Sequence, residues 1–334
     1  MVRQINPSLA RLWTSDSSRQ YGTQGRLRLE NLSEAELRVL DYLEHGVTES
    51  QFSNLAKLTK SKPAQVASLL ERLGPLLTKT SAFVSELSGL DVERHFTEIM
   101  RLYLMEHEDP AAALAKRAAS KVFVSSLGRT GLTILRGLAA SGIGTVFTGD
   151  QKQVTKADTL DLGYPIHLIG KQRVQAAKTL ALETRIELHS RMTQSYDRAD
   201  MAILINSDVT PPASYAAFMN RDVPHLAVVF SEESVSLSHL VLPGITPCLA
   251  CLELEKLRAD ENWARVAPQL TQLDRDLSDS SLSLFAASIA ISQTLNLIDG
   301  YDFDSKSLMT KMDRESSVYQ LVTPSTNCGC RLVQ

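Results

Sequence analysis

Four cysteines constrain this chain more than anything else in it. None occurs before position 248, and they form two tight pairs: Cys248 and Cys251 in Pro247-Cys-Leu-Ala-Cys, and Cys328 and Cys330 in Asn327-Cys-Gly-Cys. A CxxC turn brings two thiolates to about 2.3 Å from one zinc ion, and a second pair closes the tetrahedron. Here 76 residues separate the pairs, so a single zinc would staple the last residues of the chain to its middle. Four thiolates leave no open position for water, which makes the expected role structural. Inert buried thiols and a redox-active CxxC are the other two readings of the same residues. The start, Met1-Val2-Arg3-Gln4-Ile5-Asn6-Pro7, lacks the apolar core of a secretory signal. In a cytosolic chain such grouping reads as metal ligation rather than disulfides.

A length of 334 residues implies roughly two domains of ~100–200 residues each. A hydrophobic share of 43% and a charged share of 22% exclude wholesale disorder. The formal charge is -3, which argues against a surface built throughout for nucleic acid. Residues 1–80 carry +3 and the remainder -6, so the N-terminal part is only mildly basic. No apolar run approaches the ~20 residues that span a bilayer, so a soluble, cytoplasmic protein with no membrane partner is expected.

The first 80 residues have a pattern of their own. Residues 9–14, 18–22 and 25–30 read as short strands between Ser, Asp and Gly turns, and Arg26-Leu27-Arg28-Leu29-Glu30 alternates strictly. Ser33 with Glu36 forms a capping box opening a helix that carries Leu37, Val39, Leu40 and Leu43 and stops at Gly46. A second helix is expected over Glu49–Leu58. A third starts at Pro63 and turns Val66, Leu69, Leu70 and Leu73 to a core. Three strands and three short helices make a winged-helix-like unit. Residues 81–116 read as a helical connector.

From Lys121 the chain alternates strand, turn and helix. Val122–Ser125, Thr145–Thr148, Glu187–His189, Ala202–Ile205 and His225–Phe230 are the expected strands, and buried runs with helices between them signal a parallel sheet. Leu282–Ile298 reads as a core or dimer helix ended by Gly300. His225 and His239 flank strands and are taken as satisfied polar residues rather than ligands. The turn Ser126-Leu127-Gly128-Arg129-Thr130-Gly131 follows a strand and opens a helix, the context in which glycines bring backbone N–H groups to a phosphate. Asp150 ends the next strand, 22 residues after Gly128, where an acid commonly takes a ribose hydroxyl. Ser126 stands at the first glycine position. A tight turn with no ligand is the competing reading.

In order, these features resemble the activating-enzyme superfamily of ThiF and MoeB over about residues 117–334. The matching stretches are Val124–Gly131, Asp150, Ile169-Gly170-Lys171, Asn206-Ser207-Asp208 and the cysteine pairs. The resemblance implies a Rossmann-like α/β domain and a homodimer. It further implies Gly128 and Gly131 beneath nucleotide phosphates, Asp150 at the ribose, Lys171 at the phosphates and Asp208 at magnesium, with Arg129 in the turn placed either to crowd it or to contact an anion. Zinc would sit on Cys248, Cys251, Cys328 and Cys330. The departures are as informative. Where the family carries an Asn and an Arg-Gln pair, this chain reads Thr155-Lys156-Ala157-Asp158-Thr159-Leu160-Asp161, with Asp158 near the Asn and Asp161 near the Arg. An Asp in place of a phosphate-facing Arg inverts the electrostatics of nucleotidyl transfer. Lys152 stands where the family often has a second acid, and Arg129 replaces a small residue in the turn. With every thiol spent on zinc, none remains for a thioester.

The N-terminal part is similar to PqqD-like peptide-recognition domains, on Glu30-Asn31-Leu32, Gly46 and Leu69-Leu70-Glu71-Arg72-Leu73. That resemblance implies a leader peptide adding a strand at residues 25–30 and packing on residues 63–73. Joined, the two parts resemble the cyclodehydratase partner proteins of thiazole/oxazole-modified peptide (bacteriocin) pathways. The expected organisation is therefore a winged helix over 1–80, a connector over 81–116 and a zinc-stapled ThiF-like domain over 117–334. The expected partners are a precursor peptide and a cyclodehydratase. ATP and magnesium enter only if nucleotide chemistry survives, as in an active adenylyltransferase. No catalytic residue is assigned. A DNA-reading winged helix is the third reading, opposed by the weak positive charge.

Overall fold

Runs such as Val122-Phe123-Val124 and Ala202-Ile203-Leu204 have no polar face to offer water, and strands made of them lie in a sheet covered on both sides. The computed structural model describes residues 1–80, 95–105, 109–159, 162–181, 186–190, 199–273, 275–301 and 307–330. The chain divides into two compact units, Met1–Lys116 and Arg117–Gln334.

In the first unit β1 (Val2–Ile5) precedes a three-stranded antiparallel sheet of β2 (Arg11–Ser15), β3 (Ser18–Tyr21) and β4 (Leu27–Leu29). These last three lie within two residues of their expected places. Helix α1 (Glu34–His45) begins at the Ser33–Glu36 capping box and ends at Gly46, whose φ of 88° suits glycine. β5 (Val47–Thr48) leads into α2 (Glu49–Ser53) and α3 (Leu55–Leu58). The expected single helix here divides at Asn54, which leaves helical geometry at φ -107° and ψ 14°. Helix α4 (Pro63–Leu73) is followed by β6 (Leu77–Thr80). β1 pairs antiparallel with both β5 and β6, a sheet not expected from the sequence because each strand is too short to show a period. Ile5, Tyr21, Leu29, Leu40, Leu43, Leu69 and Leu73 share its core. Helix α5 (Phe96–Leu104) belongs to this unit. Its Tyr103 hydroxyl accepts from Gln4 Nε2 at 2.8 Å, and its Tyr103 carbonyl from Asn6 Nδ2 at 2.7 Å. Much of the expected connector, residues 81–94 and 106–108, lies outside the described residues.

Helix α6 (Pro110–Ala119) leads to the large sheet. Its elements are β7 (Lys121–Val124), α7 (Arg129–Ala140), β8 (Thr145–Thr148), α8 (Arg173–Ala181), β9 (Glu187–His189), β10 (Met201–Ser207), α9 (Pro212–Met219), β11 (His225–Phe230) and β12 (Val235–Leu237). There follow α10 (Leu249–Ala259), α11 (Trp263–Leu270), α12 (Ser280–Asp299), β13 (Leu308–Met312) and β14 (Ser317–Leu321). The strand order is β14-β13-β12-β11-β10-β7-β8-β9, parallel from β11 to β9 and antiparallel from β11 to β14. From β7 the chain winds outward through β8 and β9, then returns to place β10 on the other side of β7. Ligands of open α/β sheets bind at such a reversal, beyond the carboxyl ends of the strands.

Helix α12 closes the core of this unit. Asp279 Oδ1 accepts from Ser281 N at 2.8 Å and Leu282 N at 3.1 Å, and Gly300 ends the helix at φ 82°. Among the described residues it is the one helix long and apolar enough to cross a membrane. It packs along α7, where Gly137 leaves room for Ile291 and Thr130 Oγ1 meets Ser283 Oγ at 3.0 Å. Its last residue, Asp299, takes Arg117 Nε at 2.9 Å and NH2 at 2.6 Å, with side chains 2% and 1% exposed. Arg117 NH1 also donates to the Ser141 carbonyl at 3.1 Å. Breaking a buried pair strands one charge without its counter-ion. Asp299→Ala is therefore expected to cost about 3–5 kcal/mol in urea unfolding, well beyond a surface substitution.

His225 opens β11 fully buried, with Nδ1 against the Val223 carbonyl at 2.9 Å and Nε2 without a partner. Burial lowers its pKa to about 4. Above pH ~6.5 the ring is neutral folded or unfolded, and its full contribution is present. Below ~6.5 only the unfolded chain takes up the proton, so stability falls steadily until the pH reaches the folded value. Between pH 7 and 5 the loss is about 2 kcal/mol from this group. The non-titrating His225→Gln should lose that much less over the same interval, whereas parallel unfolding profiles would show that His225 is not responsible.

Candidate functional site

The turn between β7 and α7 is shaped by one close approach. A Cβ on Gly131 would lie 1.7 Å from the Ser126 carbonyl oxygen, so only glycine lets the helix start so near the strand. Gly128 is the N-cap and has no side chain to cap with. Its own N–H is taken by Ser126 Oγ at 3.2 Å, and the Leu127 N–H by Asp150 Oδ2 at 2.6 Å. The amides of Arg129, Thr130 and Gly131 have no partner among the described residues. They face a cavity of about 340 Å³ at the sheet's reversal point. Its lining includes Gly128, Arg129 and Gly131 of the turn, Arg173, Asn206 of β10 and Arg275.

Gly128, Arg129 and Gly131 line the cavity, whereas the acids Asp150 and Asp208 are not among its lining residues. Asp150 points inward with its side chain 3% exposed. Besides the Leu127 amide it accepts from Lys152 N at 2.7 Å and lies 3.4 Å from Arg173 NH1. Asp208, at the end of β10 with φ 64°, is held by Arg275 through both oxygens, Nε to Oδ2 at 2.9 Å and NH2 to Oδ1 at 2.8 Å. Arg275 NH1 reaches Glu232 at 3.2 Å. These hydrogen bonds, that to Asp208 first, raise the Arg275 pKa. Lys171 is exposed and is not among the lining residues.

The residues missed by sequence reasoning are Arg173 and Arg275, while Asn206 lay in a matching stretch but was given no role. Arg173 opens α8 and is largely buried. Burial works against its charge, but the hydrogen bond to Asp158 at 2.7 Å and the pull of Asp158 and Asp150 outweigh it, and its pKa is raised. A Cβ on Gly128 would sit 3.5 Å from Arg173 NH1, so this guanidinium lies directly under the turn. Asp158 faces Arg173 and also accepts from Thr155 N at 2.7 Å. Asp161 lies outside the described residues. Arg129 donates to the carbonyls of Ser278 and Ala157. The start of a helix after Gly170 was a visible signal for Arg173, whereas nothing local marked Arg275, which a loop folded back from α11 brings in.

A second constellation lies on the same unit. Cys248 is the N-cap of α10, Cys251 lies in its first turn, and the final described segment brings back Cys328 and Cys330. The four Sγ atoms lie within 4.8 Å of one another, with Cys248 to Cys328 and Cys251 to Cys330 both 3.5 Å. These are not disulfide distances, which are near ~2.05 Å. They bracket the ~3.8 Å edge of a thiolate tetrahedron built on zinc–sulfur bonds of ~2.3 Å. The Ser325 N–H donates to Cys251 Sγ at 3.5 Å. Burial pushes the Cys248 thiol up and the Cys251 thiol up to about 11. At Cys328 burial is outweighed by hydrogen bonds from the Cys330 amide and the neighbouring thiols, which lower it. Four sulfurs so placed could hold one metal ion.

No protein-family model matches the sequence, and no curated protein matches it. Solved structures do. E. coli MccB with AMPCPP and selenomethionine MccA has 14% identity and a TM-score of 0.69, covering 99% of this chain and 100% of its own. The microcin C7 biosynthetic enzyme MccB in complex with N-formylated MccA has 15% identity and a TM-score of 0.69, covering 99% of each chain. PaaA has 20% identity and a TM-score of 0.62, covering 83% of this chain and 97% of its own. At these identities the likeness is one of fold alone: an α/β chain with a parallel-rich sheet, built like MccB.

Proposed function

We propose that this protein binds a precursor peptide through its leader segment and presents it to a separate modifying enzyme of the cyclodehydratase class, its nucleotide site having lost transfer chemistry. The carrying observation is the Arg275 clamp on both oxygens of Asp208. Nucleotidyl transfer in a ThiF-type site needs a carboxylate free to hold magnesium, and this one is spent on a guanidinium. A peptide partner is supported by the MccB structures that carry MccA. Edge strand β4 and helix α4 are the elements on which a leader strand would pack, giving a peptide-recognition winged helix over 1–80, a connector over 81–116 and a ThiF-like domain over 117–334. A cytoplasmic homodimer completes the reading.

The second reading is an active ATP-dependent adenylyltransferase, favoured by unpaired amides at a glycine turn over a donor-lined cavity. The two part on ATP–pyrophosphate exchange. With the full chain and magnesium, exchange should not rise above the blank, while a short peptide encoded beside the gene should bind in fluorescence anisotropy. Robust exchange would transfer the assignment to the adenylyltransferase.

Cys248, Cys251, Cys328 and Cys330 would hold one structural zinc, which on binding supplies a closed cross-link and no chemistry. The protein purified without chelator should contain about one zinc per chain. Cys251→Ser should lose most of it and melt at lower temperature. Metal-free protein with an unchanged melting temperature in chelator would leave the cluster as buried thiols.

A further inference from the structure

The polar atoms around the cavity are unevenly satisfied. Every buried side-chain polar atom left without a partner in its wall is a donor: Arg129 Nε, Arg173 Nε and Asn206 Nδ2. To these are added the three partnerless amides at the start of α7. The carboxylates near the cavity are engaged, and Asp276, which lines it, is exposed and accepts through Oδ1 alone. Asp150 serves the turn and Arg173, and Asp158 serves Thr155 and Arg173. Asp208 is closed off by Arg275, which is also shared with Glu232. A cavity with spare donors and largely committed acceptors fits a ligand rich in acceptor oxygens. It does not fit magnesium, which needs near-octahedral oxygen ligands at about 2.0–2.1 Å. A guanidinium in bidentate contact already occupies the side of Asp208 from which a cation would be held.

We propose that Arg275 takes the place of a divalent cation in this cavity, which therefore binds a polyphosphate anion without metal. The inference rests on the reading of this site as nucleotide-like but incapable of transfer, and goes beyond it by stating what still binds and how. Arg173, under the glycine turn, and Arg275, against Asp208, flank the anion, and the α7 amides supply the hydrogen bonds. The guanidinium of Arg275 keeps Asp208 and Glu232 from repelling it.

Calorimetric titration of the full chain with ATP, and separately with inorganic pyrophosphate, tests this in EDTA and in magnesium. In EDTA at least one probe should bind with a Kd within threefold of, or tighter than, its value in magnesium. The pair of probes distinguishes a nucleotide from a bare polyphosphate. Arg275→Ala exposes two carboxylates and should weaken metal-free binding at least tenfold, with magnesium restoring it. Asp208→Asn should leave metal-free binding within threefold, whereas a magnesium site would be abolished by it. Binding confined to magnesium, loss in Asp208→Asn, indifference to Arg275→Ala, or no binding of either probe would each overturn the inference. Circular dichroism of both variants separates a binding defect from misfolding. A null titration leaves the peptide-presenting reading intact, and only pyrophosphate exchange would displace that.

Discussion

The second unit depends on a backbone contact that a single methyl group would forbid. With no Cβ at residue 131, α7 begins almost on top of the Ser126 carbonyl. The strand passes into the helix through a turn of only four residues, Ser125 to Gly128. That proximity sets where the α7 amides end, and they end over the reversal point of the sheet. It also sets where α7 lies against α12, and through Asp299 and Arg117 where the sheet's first strand is approached. The cavity follows from these placements before any ligand is considered.

Around this frame charge is arranged in closed groups. Arg173 sits between Asp150 and Asp158, and Arg275 between Asp208 and Glu232. Buried carboxylates need such partners, because leaving an ion unpaired costs far more than pairing it gains. The closure has a chemical price, since a carboxylate that satisfies an arginine is not available to a metal. The same residues that stabilise the walls thereby restrict what reaction they can support.

Much of the second unit was legible from the chain. Three of its five parallel strands, β7, β10 and β11, are largely buried, non-alternating runs, the glycine turn announces itself by spacing, and the cysteine pairs mark their own meeting. The antiparallel extension through β12 to β14 was not, because β14 is exposed along its whole length and shows no apolar face. In the first unit the turns and the capping box fixed β2 to β4 and α1, while β1 was missed as a four-residue strand paired with partners 44 and more residues away. At the site, sequence order brought the glycines and Asp150 into view. It could not reveal that Asp150 turns inward, nor that Arg275 would reach Asp208 across 67 residues of chain. Those facts belong to tertiary packing, and the local sequence is silent on them.

The thiol cluster ties α10 to a segment some 80 residues further along. Between them lie α11, α12 and the β13–β14 hairpin that completes the sheet. Synthesis runs from the N-terminus at about 5–20 residues per second, and units fold as they emerge. The parallel half of the sheet can pair while the chain is still on the ribosome, but the thiols contributed by α10 wait for Cys328 and Cys330. Until those emerge, Cys248 and Cys251 have no partner thiols, so a metal shared by all four could be enclosed only after the β13–β14 hairpin has been made.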